Sequence, residues 1–287
     1  MFEIHSLKIG ELLIPEDGGL LLDPVHVWLV TDGRTRILVD GGMPDIAEVT
    51  RRLKVHGSGG GHASLRAALA SQGVAPEQID FVVATHLHYD HGSNLDLFPD
   101  ACVVIQRDEL AHAVDPVPTQ RLFYFKEALI GLLGRRRPRK LRVIEGDLEL
   151  VEGVTLLKVP GHTPGLQIPI VTTARGKVAI VSDLGDHYRN WYPADPRATR
   201  HPLNYLADTF LPSGIRSESE RTYLESMRRA KEAADILIPA HDTRIPLHLP
   251  REWFELPPAS QPEPPLIRLG EPAADAGTGR AAQGDAA

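Results

Sequence analysis

The sequence has one cysteine, no long apolar run and no excess of basic charge, and each shortage excludes a class of protein. The lone thiol, Cys102, has no second cysteine with which to form an internal disulfide. No apolar run approaches the roughly 18 residues needed to span a bilayer, so no membrane partner is expected. The first residues, "MFEIHSLKIGELL", lack the basic start and long apolar segment of a secretion signal, and a cytoplasmic location is therefore expected.

The charge balance argues against nucleic acid as a partner or substrate. The 31 lysines and arginines stand against 38 aspartates and glutamates, which gives a formal net charge of −7. Because a polyphosphate backbone is bound by a basic surface, this composition disfavours a nuclease. The one basic run, "RRRPRK" from Arg135 to Lys140, lies between a helical and a strand-like pattern and is interpreted as a solvated loop.

The hydrophobic pattern predicts alternating strands and helices. The stretch "VHVWLVTDGRTRILVDGG" contains two β-rich runs joined at Asp32-Gly33, a dipeptide favoured in tight hairpins. The stretch "ASLRAALASQGV" has helical spacing and ends near Gly73, a residue type that favours helix termination. The run "LFYFKEALIGLL", residues 122–133, fits a helix that packs on a sheet or lines a pocket. Together these patterns predict an α/β sandwich with helices outside the sheets.

Three other segments lead to predictions of local structure. A helix is predicted to begin near Ser217, because Ser217 and Glu220 have the spacing of a capping box. The glycine-rich "GSGGGH", residues 57–62, lacks the lysine of a phosphate-binding loop and is interpreted as a flexible loop near the mouth of the site. Residues 257–287 are rich in Pro, Ala and Gly and are predicted to be a disordered tail, which leaves residues 1–256 as one domain.

The stretch "ATHLHYDHGSN" contains the densest group of candidate metal ligands. It places His86, His88, Asp90 and His91 within six positions, directly after the apolar run "IDFVVAT". With 13 histidines in 287 residues, chance would produce this arrangement in about two chains in a thousand, so an accidental cluster is disfavoured. One face of a helix cannot present all four side chains, but a loop after a strand can direct them toward two neighbouring points. Imidazole and carboxylate groups are both zinc ligands.

Three more candidate ligands each follow a strand-like run: His162 in "VPGHTPG", Asp183 in "VAIVSD" and His241 in "ILIPAHD". The carboxyl ends of strands are where an α/β architecture forms its ligand-binding crevice. Any one of these residues alone would be interpreted as an ordinary polar loop residue. Four such strand ends with metal-binding residue types favour a shared metal site.

The combination of "THLHYDH", "PGHTPG", "SD" and "PAHD", with the earlier "RILVDGG", resembles the metallo-β-lactamase superfamily over about residues 2–250. The resemblance implies a four-layer αββα sandwich with the site in the cleft between the sheets. It also implies two metal positions, the first bound by His86, His88 and His162, the second by Asp90, His91 and His241, with Asp183 bridging both. Asp40 matches a position that supports the metal-binding loop in this superfamily, and a cap of the Gly41-Gly42 turn is the equal alternative.

The implied chemistry is hydrolysis. Two divalent ions about 3.5 to 4 Å apart can share a water, lower its pKa and polarise a carbonyl oxygen. In this scheme Asp90 and Asp183 are catalytic: a hydroxide that bridges the metals, oriented by Asp90, attacks an acyl carbon. Diiron relatives usually have a carboxylate where this chain has His88, which favours two Zn²⁺ ions, although imidazole also binds iron and manganese. A β-lactamase is disfavoured because Cys102 lies far in sequence from Asp183, near which those enzymes have their cysteine.

Several stretches are similar to N-acyl homoserine lactone lactonases, above all "VIEGDLELVEGVTLLKVPGHTPG". This similarity implies a small-molecule acyl substrate and the opening of an N-acyl homoserine lactone or a related lactone. Hydrolysis of another ester, a thioester, as in glyoxalase II-like enzymes, or an amide is the alternative. Those lactonases have a tyrosine three residues after the bridging aspartate, but this chain has Asp186. Tyr188 or His187 is therefore the candidate hydrogen-bond donor to the substrate.

The segment "NWYPADPRATRHPLNYLADTFLP", residues 190–212, is the candidate substrate cap. Its aromatic side chains would line an acyl pocket, bury the loop itself or form a homodimer contact, and the sequence leaves these three open. A persulfide dioxygenase would share the fold but needs a single iron. A noncatalytic binding module is disfavoured because all seven ligand positions are filled.

Overall fold

The computed structural model describes residues 1–16, 19–134, 140–191 and 210–245, and the backbone of strand Leu266–Arg268. The strands are β1 (Glu3–Glu16), β2 (Gly19–Thr31), β3 (Arg36–Val39), β4 (His56–Gly59), β5 (Phe81–Val83), β6 (Cys102–Gln106), β7 (Leu141–Ile144), β8 (Leu148–Val151), β9 (Val154–Lys158), β10 (Gln167–Thr173), β11 (Gly176–Ser182), β12 (Ile236–Pro239) and β13 (Leu266–Arg268). The helices are α1 (Ile46–Leu53), α2 (Gly61–Ser71), α3 (Arg107–Val114), α4 (Lys126–Leu133), α5 (Tyr188–Trp191) and α6 (Glu220–Ala233).

The strands form two sheets in the part of the chain that the structure describes. The larger sheet has the order β4-β1-β2-β3-β5-β6-β7, and β13 also pairs with β2. The smaller sheet has the order β12-β11-β10-β9-β8. Parallel pairing of β3, β5, β6 and β7 places the carboxyl ends of these strands at one edge of the larger sheet. In the smaller sheet β11 and β12 are also parallel, with α6 between them in the chain.

Alternating side chains on β2 separate two of the apolar layers, because successive residues of a strand point to opposite faces. Val27 and Leu29 belong to the core that includes residues of α1 and α2. Trp28 and Val30 belong to the core between the two sheets. The larger sheet therefore has helices on one face and the smaller sheet on the other.

The same alternation on β11 produces a third apolar layer. Val178 and Ile180 belong to the core between the sheets, whereas Ala179 and Val181 pack in a cluster with residues of α6 such as Met227. Three apolar interfaces thus separate helices, sheet, sheet and helix. The predicted four-layer αββα sandwich is confirmed.

The predicted hairpin at Asp32-Gly33 is confirmed, since it joins β2 to β3. Asp32 Oδ1 accepts hydrogen bonds from Arg34 N (2.9 Å) and Thr35 N (2.7 Å). Gly33 has a φ of 86°, a backbone conformation that glycine adopts without steric cost.

The predicted capping residue of α6, Ser217, is wrong by two residues. Ser219 is the capping residue, and its side chain accepts a hydrogen bond from Thr222 N at 3.1 Å. Ser217 N instead donates to Gly161 O (3.1 Å), so its backbone is held by the loop that carries His162. A tertiary contact therefore replaces the local capping box that the spacing suggests.

The prediction of a flexible loop for residues 57–62 is also wrong. Residues His56–Gly59 form β4, which pairs with β1, and α2 begins at Gly61. A Cβ on Gly57 would lie 2.0 Å from Glu11 O, so the glycines allow two backbones to approach closely. Their function here is packing rather than mobility.

The helix predicted for residues 122–133 is shorter than its apolar pattern, because α4 covers only Lys126–Leu133. Phe123 O accepts from Tyr89 N at 2.7 Å, and Tyr124 pairs as a β-bridge with His88. These peptide groups are thus bonded to the loop of residues 84–94 that follows β5, and not to a helix.

Three residues of the predicted tail, Leu266–Arg268, pair with residues 19–21 of β2. The rest of the tail, residues 246–256 and the basic run at 135–139 lie outside the described residues, so the domain boundary at 256 stays a prediction. No helix in the described ranges has the length and apolar character required to cross a bilayer.

Candidate metal centre

All seven candidate ligands lie in loops that begin at the carboxyl ends of strands. The loop after β5 carries four of them, and those after β9, β11 and β12 carry one each, namely His86, His88, Asp90, His91, His162, Asp183 and His241. These strands come from both sheets. The loops meet in the cleft between them, where a crevice is expected in an α/β architecture.

The seven side chains form two groups in which the ligand atoms lie within 4.8 Å of one another. The first group is His86, His88, His162 and Asp183, and the second is Asp90, His91 and His241. The structure thus brings together every residue that the sequence suggested as a ligand. Their individual roles as ligands stay predictions.

The carboxylate of Asp183 lies between the two groups. Its Oδ2 is 3.2 Å from His162 Nε2 and 3.7 Å from His86 Nε2, both in the first group. Its Oδ1 is 3.1 Å from His91 Nε2 and 3.3 Å from His241 Nε2, both in the second group. One oxygen of Asp183 therefore faces each group.

The first group fits a divalent cation. His88 Nδ1 and His162 Nε2 lie 2.9 Å apart, and the buried His86 Nε2 makes no hydrogen bond to any described residue. Burial lowers the pKa of all three imidazoles, with neighbouring histidines adding to the effect. Neutral imidazoles have the free lone pair that metal binding requires.

The histidines of the second group have pKa shifts in the opposite direction. Burial alone would lower the pKa of His91, but Asp183 and Asp90 outweigh it and hold that pKa well above the usual range. For His241, Asp23 and Asp183 likewise outweigh burial and raise the pKa to about 10. Burial raises the pKa of Asp90. A bound cation would take the place of the protons that otherwise balance these carboxylates.

Outer hydrogen bonds orient three of the imidazoles. His162 Nδ1 donates to Ile215 O and His241 Nδ1 donates to Pro24 O, each at 2.9 Å. His91 Nδ1 donates to the Asp40 carboxylate, also at 2.9 Å. Because these bonds engage Nδ1, each ring turns its Nε2 toward the cluster, as metal-binding histidines commonly do.

The side chain of Asp40 contacts the loop after β5, which carries four of the candidate ligands. Besides His91, it accepts from Thr85 N at 2.8 Å and from Thr85 Oγ1 at 2.9 Å. Asp40 itself has a φ of 65° and is buried. These contacts match support of the ligand loop, one of the two interpretations left open by the sequence.

Two residues near Asp183 have no signal in the sequence that marks them as functional. Tyr223 Oη donates to Asp183 O at 2.7 Å, and Ser213 Oγ lies 2.9 Å from the same hydroxyl. The helical spacing of α6 indicates that Tyr223 is buried. Only the packing of α6 on the smaller sheet shows where its hydroxyl reaches.

The loop after Asp183 surrounds the second group. Asp186 O accepts from His241 N at 2.9 Å, and burial followed by repulsion from Asp183 raises the pKa of the Asp186 carboxyl to about 7. His187 Nε2 is 3.3 Å from Asp23 Oδ1.

Tyr188, the candidate catalytic donor, lies in α5 and is buried. Its backbone N donates to Asp242 Oδ2 at 3.0 Å, and the Arg244 guanidinium lies 5.0 Å from the centre of its ring. Its catalytic role stays a prediction. Of the predicted cap, residues 192–209 lie outside the described residues.

The fold and the cluster together define a metal-binding αββα sandwich with its site in the cleft between the sheets. This chain belongs to the metallo-β-lactamase superfamily, whose family model matches residues 20–241. The resemblance inferred from the ligand motifs is therefore confirmed.

The relatives of this chain include N-acyl homoserine lactonases. One from Bacillus thuringiensis is 30% identical over 207 residues, which cover 69% of this chain and 77% of the relative. One from Bacillus cereus is 31% identical over 183 residues, or 61% of this chain and 68% of the relative. The mouse metallo-beta-lactamase domain-containing protein 1 is 30% identical over 187 residues, or 60% and 64% of the two chains. The names of the lactonases agree with the prediction of an enzyme.

Solved structures confirm the fold. An N-acyl homoserine lactone hydrolase with N-hexanoyl-L-homoserine bound at its catalytic metal centre superposes with a TM-score of 0.64 and 23% identity, covering 84% of this chain and 93% of that one. A probable metal-dependent hydrolase from Staphylococcus aureus gives 0.63 and 18%, covering 85% and 90%.

Proposed function

We propose that this protein is a dinuclear zinc hydrolase that opens the ring of an N-acyl homoserine lactone or a related lactone. The observation that supports this most directly is the placement of Asp183, with one oxygen toward each of two ligand groups. Such a shared carboxylate suits two ions held side by side. The names of the lactonase relatives indicate the substrate class.

The donor set favours zinc. Five imidazoles and two carboxylates offer nitrogen and oxygen, and the described part of the site contains no thiolate. Zinc binds such mixed sets readily, and the same set also accepts iron or manganese. The first ion would be held by His86, His88 and His162 and the second by Asp90, His91 and His241, with Asp183 shared.

Bound ions would supply Lewis acidity toward the lactone carbonyl and a water of lowered pKa. Asp90 would contribute the carboxylate that orients the attacking water. Its Oδ2 lies 3.8 Å from His241 Nε2 and 3.9 Å from His91 Nε2, so the carboxylate faces the second ligand group.

The loop from Asp186 to Tyr188 would contact the substrate beside the second group, since Asp186 O accepts a hydrogen bond from His241 N. Asp186 replaces the tyrosine of the lactonases that this chain resembles, so the donor to the substrate carbonyl would be Tyr188 or His187. A homodimer contact through the segment of residues 190–212 and a cytoplasmic location stay predictions from the sequence.

A substrate screen tests this proposal. Zinc-loaded protein is assayed against N-acyl homoserine lactones, thioesters and aryl esters of matched acyl length, with His88→Ala as the control. Lactones should be hydrolysed fastest, and the His88→Ala protein should lose activity toward all three. Turnover of thioesters with inert lactones would refute the substrate class and favour a glyoxalase II-like thioesterase. Full activity of His88→Ala would refute the metal mechanism.

A further inference from the structure

Glu109 is a buried carboxylate that the proposed chemistry does not use. It lies in the first turn of α3 and is fully buried. No lysine or arginine forms an ion pair with it among the residues that the structure describes. A buried carboxylate costs free energy unless hydrogen bonds satisfy it, so its partners are informative.

The Glu109 carboxylate joins the two loops that carry the histidines of the first ligand group. Its Oε1 accepts a hydrogen bond from Leu87 N at 2.9 Å, and Leu87 lies between His86 and His88. Its Oε2 accepts from Thr163 Oγ1 at 2.6 Å, and Thr163 directly follows His162. One side chain thus sets the separation of the His88 loop and the His162 loop.

Tyr124 adds a third bond to the same carboxylate. Its hydroxyl donates to Glu109 Oε1 at 2.9 Å, and its ring lies edge-on to His88 with centroids 4.8 Å apart. Tyr124 also forms the β-bridge to His88. Glu109 therefore acts on His88 from two directions, through Leu87 and through Tyr124.

The backbone at Glu109 is a contact point as well. A Cβ on Gly165 would lie 2.1 Å from Glu109 N and 2.5 Å from Glu109 Cα, so only glycine lets the His162 loop approach α3 this closely. This observation is independent of the carboxylate bonds. Both place the His162 loop against the first turn of α3.

We propose that Glu109 is a positioning residue for the first metal position, where it aligns His88 and His162 on a common ion. The inference rests on the proposed binding of two ions. The second position has other supports, since His91 is held by Asp40 and His241 by Pro24 O. Loss of Glu109 should therefore lower the metal affinity of the first position and not that of the second.

Zinc affinities measured by competition with a chromophoric chelator, on metal-stripped full-length protein, test this inference. Residues that hydrogen-bond to metal ligands commonly change metal affinity by about 10- to 100-fold. Glu109→Ala should therefore lower the affinity for zinc at the first position by that factor and leave the affinity at the second position unchanged. His162→Ala and His241→Ala assign the two binding steps to the two positions. The visible spectrum of the Co²⁺-substituted protein should change at the first position only.

Two further variants separate positioning from general stability. Glu109→Gln keeps an oxygen for Leu87 N and Tyr124 Oη and can donate to Thr163 Oγ1, so it should restore zinc affinity. Gln106→Ala is the matched control, because Gln106 is equally buried and makes three hydrogen bonds, two to Gly146 and one to Gln167. It should lower the free energy of unfolding without changing zinc affinity.

The inference is overturned if folded Glu109→Ala binds both ions as the wild type does, or weakens both equally. If Glu109→Ala does not fold, Thr163→Val and Tyr124→Phe each remove one of the three bonds and provide the same comparison. A wild-type protein that binds no zinc would instead refute the proposed metal centre. A wild type that binds zinc but opens no lactone would refute only the proposed substrate.

Discussion

Replacing Asp40 with alanine is expected to weaken the second metal position and the fold together. The carboxylate accepts hydrogen bonds from Thr85 N, Thr85 Oγ1 and His91 Nδ1, all between 2.8 and 2.9 Å. Thr85 Oγ1 keeps a second contact, Ser182 Oγ at 2.9 Å. The change therefore leaves two buried donors without an acceptor, Thr85 N–H and His91 Nδ1–H.

The size of the effect follows from those two donors. A buried donor without a partner costs about 1–3 kcal/mol, so the loss of two should lower the free energy of unfolding by about 2–6 kcal/mol. Loss of the bond that orients His91 should also weaken zinc at the second position by about 10- to 100-fold. The first position should lose less affinity, because Asp40 reaches its ligands only through Thr85, whose Oγ1 lies 3.2 Å from His86 Nδ1.

Urea unfolding of the metal-free protein and chelator competition for zinc measure the two effects separately. Asp32→Ala is the control, because Asp32 also accepts two backbone hydrogen bonds but lies in the exposed hairpin. It should leave zinc binding unchanged. Unchanged zinc affinity at the second position in Asp40→Ala would show that Asp40 supports only the fold, and the account of the His91 support would be wrong.

Three other perturbations have defined outcomes. Burial lowers the pKa of His26 to about 4, so the unfolded chain takes up a proton that the folded protein does not. The stability that neutral His26 contributes is fully present above pH 6.5, and about 3 kcal/mol of it is lost as the pH falls toward 4. His26→Gln should therefore reduce the loss of stability on the acid side when urea unfolding of the metal-free protein is measured against pH. Equal slopes would contradict it. Gly165→Ala should destabilise the fold by about 1–3 kcal/mol, because the added methyl group clashes with Glu109. Gly131→Ala, at an open position of α4, should instead stabilise the fold by about 0.5–1 kcal/mol. Thermal unfolding compares the two variants, and equal effects would refute the packing argument. Removing metal with a chelator should lower the melting temperature, and added zinc should restore it; no change would argue against metal binding in the folded state.

The layers of the fold follow from the sequence because strand alternation is local. Val27 to Val30 alternate between two cores, and the pattern of apolar residues alone predicts a sheet covered on both faces. Local patterns fail where a distant contact decides the backbone. Gly57 belongs to a strand because Glu11 lies against it, and that contact joins residues 46 positions apart.

The candidate ligands could be found from the sequence because their residue types are rare together and each follows a strand. The residues that hold these ligands in place could not be found in this way. Glu109 reaches Leu87 and Thr163 only after α3 has packed beside β6, and Tyr223 reaches Asp183 only after α6 covers the smaller sheet. Such contacts depend on three-dimensional neighbours, which spacing along the chain does not reveal.

Ring opening of an N-acyl homoserine lactone, followed in a pH-stat, tests the central claim most directly. Each turnover releases one carboxylic acid, so the rate of base addition reports hydrolysis without a chromophore. The zinc-loaded protein should consume base well above the uncatalysed rate, while chelator-treated protein and His88→Ala should not. A zinc-loaded protein that leaves the lactone intact, or equal rates with and without metal, would contradict the account.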